Sequence, residues 1–165
     1  MTRLHVPVSL RWSDLDAYQH VNNVEMFRLL EDARITAFWQ HPDAGEDAWP
    51  TAVIENGPGA SSHTFVARQE IEYLRPLAFT RTPVRVEMWI GKIGGASLEV
   101  CYEVHDGAAR FDRVGPSTGG EPYARAATTI VVVDAATERP RRITTDERAA
   151  WEPFLGDPIA FRRRG

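Results

Sequence analysis

The chain has 165 residues with 43% apolar and 25% charged side chains, which fits one globular domain and excludes wholesale disorder. Its net charge of −4 argues against a dedicated nucleic-acid binder, and no apolar run approaches the length of a membrane span. The single cysteine, Cys101, excludes an intramolecular disulfide; with no apolar leader at the N-terminus, the expected compartment is the cytoplasm.

In chain order, residues 6–12 are expected to form a short strand. Residues 22–40 are expected to form a long, heavily buried helix, because Met26, Leu30, Ala33 and Ala37 recur at spacings of 4, 3 and 4 and Phe27 and Phe38 widen the stripe. Four strands follow. In the first, over 65–74, alternation places Phe65, Ala67, Ile71 and Tyr73 on one face and Arg68, Glu70 and Glu72 on the other. The next two cover 84–93 and 97–105, joined by a tight hairpin at Gly94-Gly95. Residues 107–122 contain Gly115-Pro116-Ser117-Thr118-Gly119-Gly120 and read as a long loop. The last strand spans 123–134 and a short helix spans 145–154. The predicted class is α+β, with one long helix against a five- to six-stranded antiparallel sheet. Residues 1–160 form the domain, and 161–165 form a basic tail expected to be disordered. One helix cannot cover both faces of such a sheet; the uncovered edge or face must meet something, and a second subunit is expected.

The stretch richest in chemistry joins the first strand to the helix: Asp14-Leu-Asp16-Ala-Tyr18-Gln-His20-Val-Asn22-Asn23. Asn22 with Glu25 three residues on is a capping-box pattern. The backbone N–H groups from Asn23 onward then lack intrahelical partners and suit an anion or a developing oxyanion. Asp16 is close enough in sequence to face the same spot, and a carboxylate with oriented amides serves acyl transfer. Taken alone, the pattern is more often a turn and a cap. Asp14 reads better as a loop-ordering residue than as a second catalytic acid.

This string, with Glu31-Asp-Ala-Arg34 further down the helix, resembles the signature of hotdog-fold acyl thioesterases. It is similar to the 4-hydroxybenzoyl-CoA thioesterase-like group and to plant acyl-ACP thioesterase domains. Ile71-Glu-Tyr-Leu-Arg-Pro76 and Val131-Val-Val-Asp134 resemble later segments of the family in the same order. The resemblance implies a hotdog fold, a central helix wrapped by the sheet, assembled as a homodimer or homotetramer with sites at the subunit interface. It also implies hydrolysis of acyl-CoA without a cofactor, with Asp16 as the catalytic carboxylate, the Asn23 amide as oxyanion donor and His20 beside them. Tyr18 stands where the acyl-ACP enzymes carry an Asn, which disfavours a carrier-protein substrate.

Tyr18, Asn22 and Phe27 are the candidate substrate-contacting residues, with Leu30 and Trp89 as further candidates for an acyl slot. Arg75, Arg81 and Arg85 are candidates for CoA phosphates. The five histidines show no metal-ligand spacing, and no metal site is expected. A Gly-x-Ser-x-Gly elbow is absent, which disfavours a serine hydrolase. Cys101 lies mid-strand and reads as a packed residue. The alternatives are an acyl-carrier-protein thioesterase and a non-catalytic protein that binds acyl-CoA.

Overall fold

The structure, a computed structural model, describes residues 1–162. Six antiparallel strands form one sheet: β1 (Arg3–Val8), β2 (Ser62–Tyr73), β3 (Val84–Ile93), β4 (Ser97–His105), β5 (Val114–Gly115) and β6 (Ala124–Asp134), in the order β2-β6-β4-β3-β1-β5. Helix α1 (Asn23–Phe38) lies against the inner face, and α2 (Thr145–Trp151) follows the last strand. At 16 residues α1 is shorter at both ends than expected.

The inner face follows from strand alternation. Leu4, Val6 and Val8 join Val84, Val86, Met88 and Ile90, then Leu98, Val100, Tyr102 and Val104, in one buried cluster. Met26, Leu29, Leu30, Ala33, Ala37 and Phe38 of α1 complete it. Each large apolar side chain sealed there contributes roughly 1.5–3 kcal/mol. Arg34 also points inward, only 7% exposed, and donates from Nη1 to the Tyr102 hydroxyl at 3.1 Å. Its contact with Glu31, one helical turn back, is secondary, at 3.8 Å. Trp151 of α2 closes the end of the core beside Phe38 and donates to the Thr51 carbonyl.

The first strand starts earlier than expected and stops at Val8; Trp12–Asp14 is a single 3-10 turn. In β2 the register slips between Val66 and Arg68. Val66 pairs with inward Ile130, while Phe65 pairs with Val131 on the outer face. The expected single alternation through 65–73 therefore breaks. Phe65 shares a face with Arg68, Glu70 and Glu72, and Val66 shares one with Ile71 and Tyr73, because one extra residue inverts the parity of all that precede it.

The outer face carries charge rather than a second apolar layer. Arg3 donates to Glu87 at 2.9 Å and to Glu103, and its guanidinium stacks on Trp89. Glu87, Glu103 and His105 bring their ligand-type atoms within 4.8 Å of one another, a grouping that histidine spacing did not reveal, and Arg3 supplies the positive charge beside them. The chain itself covers much of this face. Thr118 of the long loop donates to Glu87. The C-terminal segment crosses β3, with the Gly156 N–H on the Ile90 carbonyl and the Trp89 indole on the Asp157 carbonyl. Burial under it pushes the Cys101 thiol up to about 11, which leaves it protonated and packed. Of the tail expected to be disordered, Phe161 and Arg162 lie against the sheet, with the Arg162 N–H on Glu72; residues 163–165 lie outside the described residues.

Candidate active site

The segment between β1 and α1 is a tight loop closed on itself. The Asp16 N–H donates to the His20 carbonyl at 2.9 Å, and the Gln19 N–H to the Asp16 carbonyl at 3.1 Å. Gln19 takes a positive φ of 63° to make the turn. Asp14 anchors this loop. Its carboxylate is fully buried and accepts from the Arg11 N–H at 2.7 Å, the Arg11 guanidinium and Arg28 of α1 at 2.8 and 2.9 Å. Burial alone would raise its pKa. The bonds from the Arg11 N–H, Arg28 and the Arg11 side chain outweigh that and hold it below the usual value.

Asp16 is held differently. Its Oδ1 accepts the Tyr18 N–H at 2.8 Å and the His20 N–H at 3.3 Å. Its Oδ2 has no partner among the described residues. Loop backbone therefore fixes the carboxylate and leaves one oxygen free.

The start of α1 supplies the second component. Asn22 is the N-cap and accepts the Val24 N–H at 2.8 Å through Oδ1. The expected capping box is incomplete. The Asn22 N–H goes to the Asp14 carbonyl, and Glu25 turns to Arg28. The Asn23 N–H is left without a partner among the described residues. The Tyr73 hydroxyl donates to the Asn23 carbonyl at 2.8 Å and ties β2 to this turn.

Asp16, His20 and Asn23 line one open cavity of about 380 Å³ with Val21, Met26, Tyr73, Leu74, Arg75, Pro76 and Leu77. The three residues expected to act together are thus brought together. Tyr18, Asn22 and Phe27 do not line it. The Tyr18 side chain is 81% exposed at the loop tip, and the Asn22 side chain is spent on the helix cap. Leu30 and Trp89 are ordinary buried residues, Trp89 on the opposite face of the sheet. The apolar part of the cavity instead comes from Val21, Met26, Leu74, Pro76 and Leu77, with the Val21 N–H on the Leu77 carbonyl and Phe79 edge-on to Trp12 close by. In the sequence Ile71–Pro76 stood out only by family resemblance and Arg75 only as a phosphate candidate; that Tyr73, Leu74, Pro76 and Leu77 line this cavity had no signal of its own, since strand residues and a proline-containing turn carry no chemistry.

A free carboxylate oxygen and an unpartnered helix N-terminal amide in one cavity suit attack on a carbonyl carbon with stabilisation of the resulting oxyanion. The thioesterase-like superfamily matches residues 10–157, and the chain belongs to that family. Among solved structures, a predicted thioesterase from Bacillus stearothermophilus is 21% identical over 95% of this chain and 99% of its own, with a TM-score of 0.68, a likeness in fold. A thioesterase from Thermus thermophilus, complexed with coenzyme A and zinc, is 26% identical over 94% of this chain and 96% of its own, with a TM-score of 0.63. The PA2801 protein from Pseudomonas aeruginosa is 27% identical over 91% and 98%, with a TM-score of 0.66. No curated protein matches the chain.

Proposed function

We propose that the protein hydrolyses an acyl-CoA thioester to the free acid and CoA. The observation that carries this reading is that Asp16, whose Oδ2 is unengaged, and Asn23, whose N–H is unpartnered among the described residues, line one cavity. The thioester carbonyl oxygen accepts from the Asn23 amide. Asp16 either takes a proton from the attacking water or attacks the carbonyl to form a mixed anhydride that water then opens; both routes use the free oxygen. In the general-base route, collapse of the tetrahedral intermediate expels the CoA thiolate, which takes the proton that Asp16 removed from water; in the anhydride route the thiolate leaves first, and the water that opens the anhydride supplies the proton. His20 orients Asp16 through its backbone and itself lines the cavity. The coenzyme A complex of the Thermus thermophilus relative supports CoA as the thiol.

The working unit we propose is a hotdog homodimer or a pair of such dimers, with α1 as the helix around which the sheet curls. The cytoplasm is the proposed compartment: the one cysteine is buried, and no described helix is long and apolar enough to cross a membrane.

The test is thiol release from a panel of acyl-CoA esters of varied chain length and aromaticity. Asp16→Asn should lower kcat by about 10²–10⁴-fold while the protein melts like the wild type. Turnover indifferent to this change overturns the site. No turnover on any CoA ester, with turnover on carrier-protein esters or with binding alone, replaces the function.

A further inference from the structure

A second cavity adjoins the first, and Arg75 lines both. It measures about 380 Å³, within the range of small-ligand sites, and is bounded by Arg75, Arg85, His105, Asp106, the Gly119-Gly120 turn and Glu121, so two carboxylates share the lining with the two guanidinium groups. The two guanidinium groups are pre-positioned. Arg75 stacks on the Tyr123 ring at 3.6 Å, and donates from Nε to the Glu121 carbonyl at 3.2 Å and from Nη2 to Asp106 at 3.3 Å. Arg85 donates from Nε to Glu87 at 3.3 Å and from Nη2 to Thr118. Nη1 of each has no partner among the described residues.

Gly119 and Gly120 have φ of 72° and 84°, and a Cβ on either would meet nothing within 4 Å. Consecutive left-handed glycines of this kind let a ligand approach the backbone closely. The Gly120 N–H has no partner among the described residues. Oriented guanidinium donors beside a bare backbone turn suit phosphate oxygens. The carboxylates that pin the arginines also weaken the local positive field, so the affinity gained is moderate.

We propose that this second cavity holds the phosphorylated nucleotide end of a CoA thioester whose acyl end lies against Asp16, an assignment that rests on the thioesterase reading above. The pantetheine arm then passes Arg75 between the two cavities. Of the three candidate phosphate arginines, this selects Arg75 and Arg85; Arg81 does not line the cavity.

The experiment compares one acyl group carried on CoA, on 4′-phosphopantetheine and on pantetheine, in wild type, Arg75→Gln and Arg85→Gln. Wild-type kcat/KM should be at least about tenfold higher for the CoA ester than for the pantetheine ester, the worth of one or two charge-assisted hydrogen bonds. That preference should fall severalfold in each variant. No preference in wild type, or one that both folded variants retain, overturns the proposal and leaves the thioesterase reading standing. A phosphopantetheine ester as good as the CoA ester overturns the nucleotide assignment in favour of a carrier-borne substrate. Arg75 lies outside the Glu87 network, so its variant keeps the test decisive if Arg85→Gln does not fold. If wild type cleaves no thioester, the function fails, and calorimetric titration with adenosine 3′,5′-bisphosphate decides the cavity. Binding weakened in the variants supports it, and absence of binding overturns it.

Discussion

Asp14 and Asp16 are the same residue type two positions apart, and their surroundings give them opposite work. Asp14 is fully buried and spends both oxygens on Arg11 and Arg28, whereas Asp16 lines the cavity and keeps one oxygen without a partner among the described residues. The sequence separates them only through family resemblance and turn logic, since nothing in the string shows that Arg28, a full helical turn into α1, reaches back to Asp14. The distinction is measurable. Asp14→Asn leaves two guanidinium groups short of a counter-charge and should lower unfolding free energy by about 2 kcal/mol near neutral pH, read by urea denaturation. The Asp14 pKa is lowered on folding, so its contribution is complete above the ordinary aspartate value and is lost as pH falls below that value through the folded one. Wild type and Asp14→Asn should therefore converge in stability as the pH drops through that window. A difference independent of pH would mean that shape, not charge, is what Asp14 supplies.

At the scale of elements, β3 and β4 run over the residues that alternation marks, because both are central strands whose apolar alternation is unbroken from Val84 to Ile90 and from Leu98 to Val104; the irregularity in β3 comes only after Ile90. The faces of β2 were not legible. A bulge leaves no mark in composition, and its pairing depends on β6, some sixty residues away. The long loop after β4 shows the same limit. Glycine and proline mark 107–122 as irregular, yet the segment is tethered: His5 sets its ring nitrogens 3.0 Å from the Asp112 and Pro116 carbonyls, and its own N–H donates to the Arg113 carbonyl. Val114–Gly115 adds a short strand to the edge of β1. A lone histidine in a strand gives no hint of such a tether. His5→Leu removes the ring contacts and keeps the bulk. Trypsin should then cut at Arg110 and Arg113 about fivefold faster, because one imidazole N–H donates to one of these carbonyls at a time and the lost hydrogen bond is worth about 1 kcal/mol to the closed loop. An unchanged cleavage rate would assign the anchoring to Thr118 on Glu87 instead.

For the whole molecule, the fold class was legible and the disposition of its faces was not. Alternation reveals that β1, β3 and β4 each have a second face. It does not reveal that Arg3, Glu87 and Glu103 pair there, or that the chain's own loop and C-terminal segment cover them. Of the two places where a partner is expected, an uncovered edge or an uncovered face, the edge is the one left bare. The two edges of the sheet differ: one ends in β5, two residues long, and the other in β2, twelve residues long with Phe65, Val66 and Tyr73 substantially exposed. Long edges with exposed apolar side chains are sites of further pairing, and pairing with a second copy about a two-fold axis closes the assembly. Tyr73 lies on that edge strand and also lines the Asp16 cavity, so a partner docked on β2 borders the proposed site. Val66→Arg places a charge on the strand without touching the cavity residues. If β2 is the interface, light scattering should give twice the chain mass or a multiple of it for wild type and a monomer for Val66→Arg. Thioester hydrolysis should fall with the assembly and recover at protein concentrations that restore it. A wild type that is monomeric at micromolar concentration and fully active would make β2 a tolerated free edge and the cavity complete within one chain.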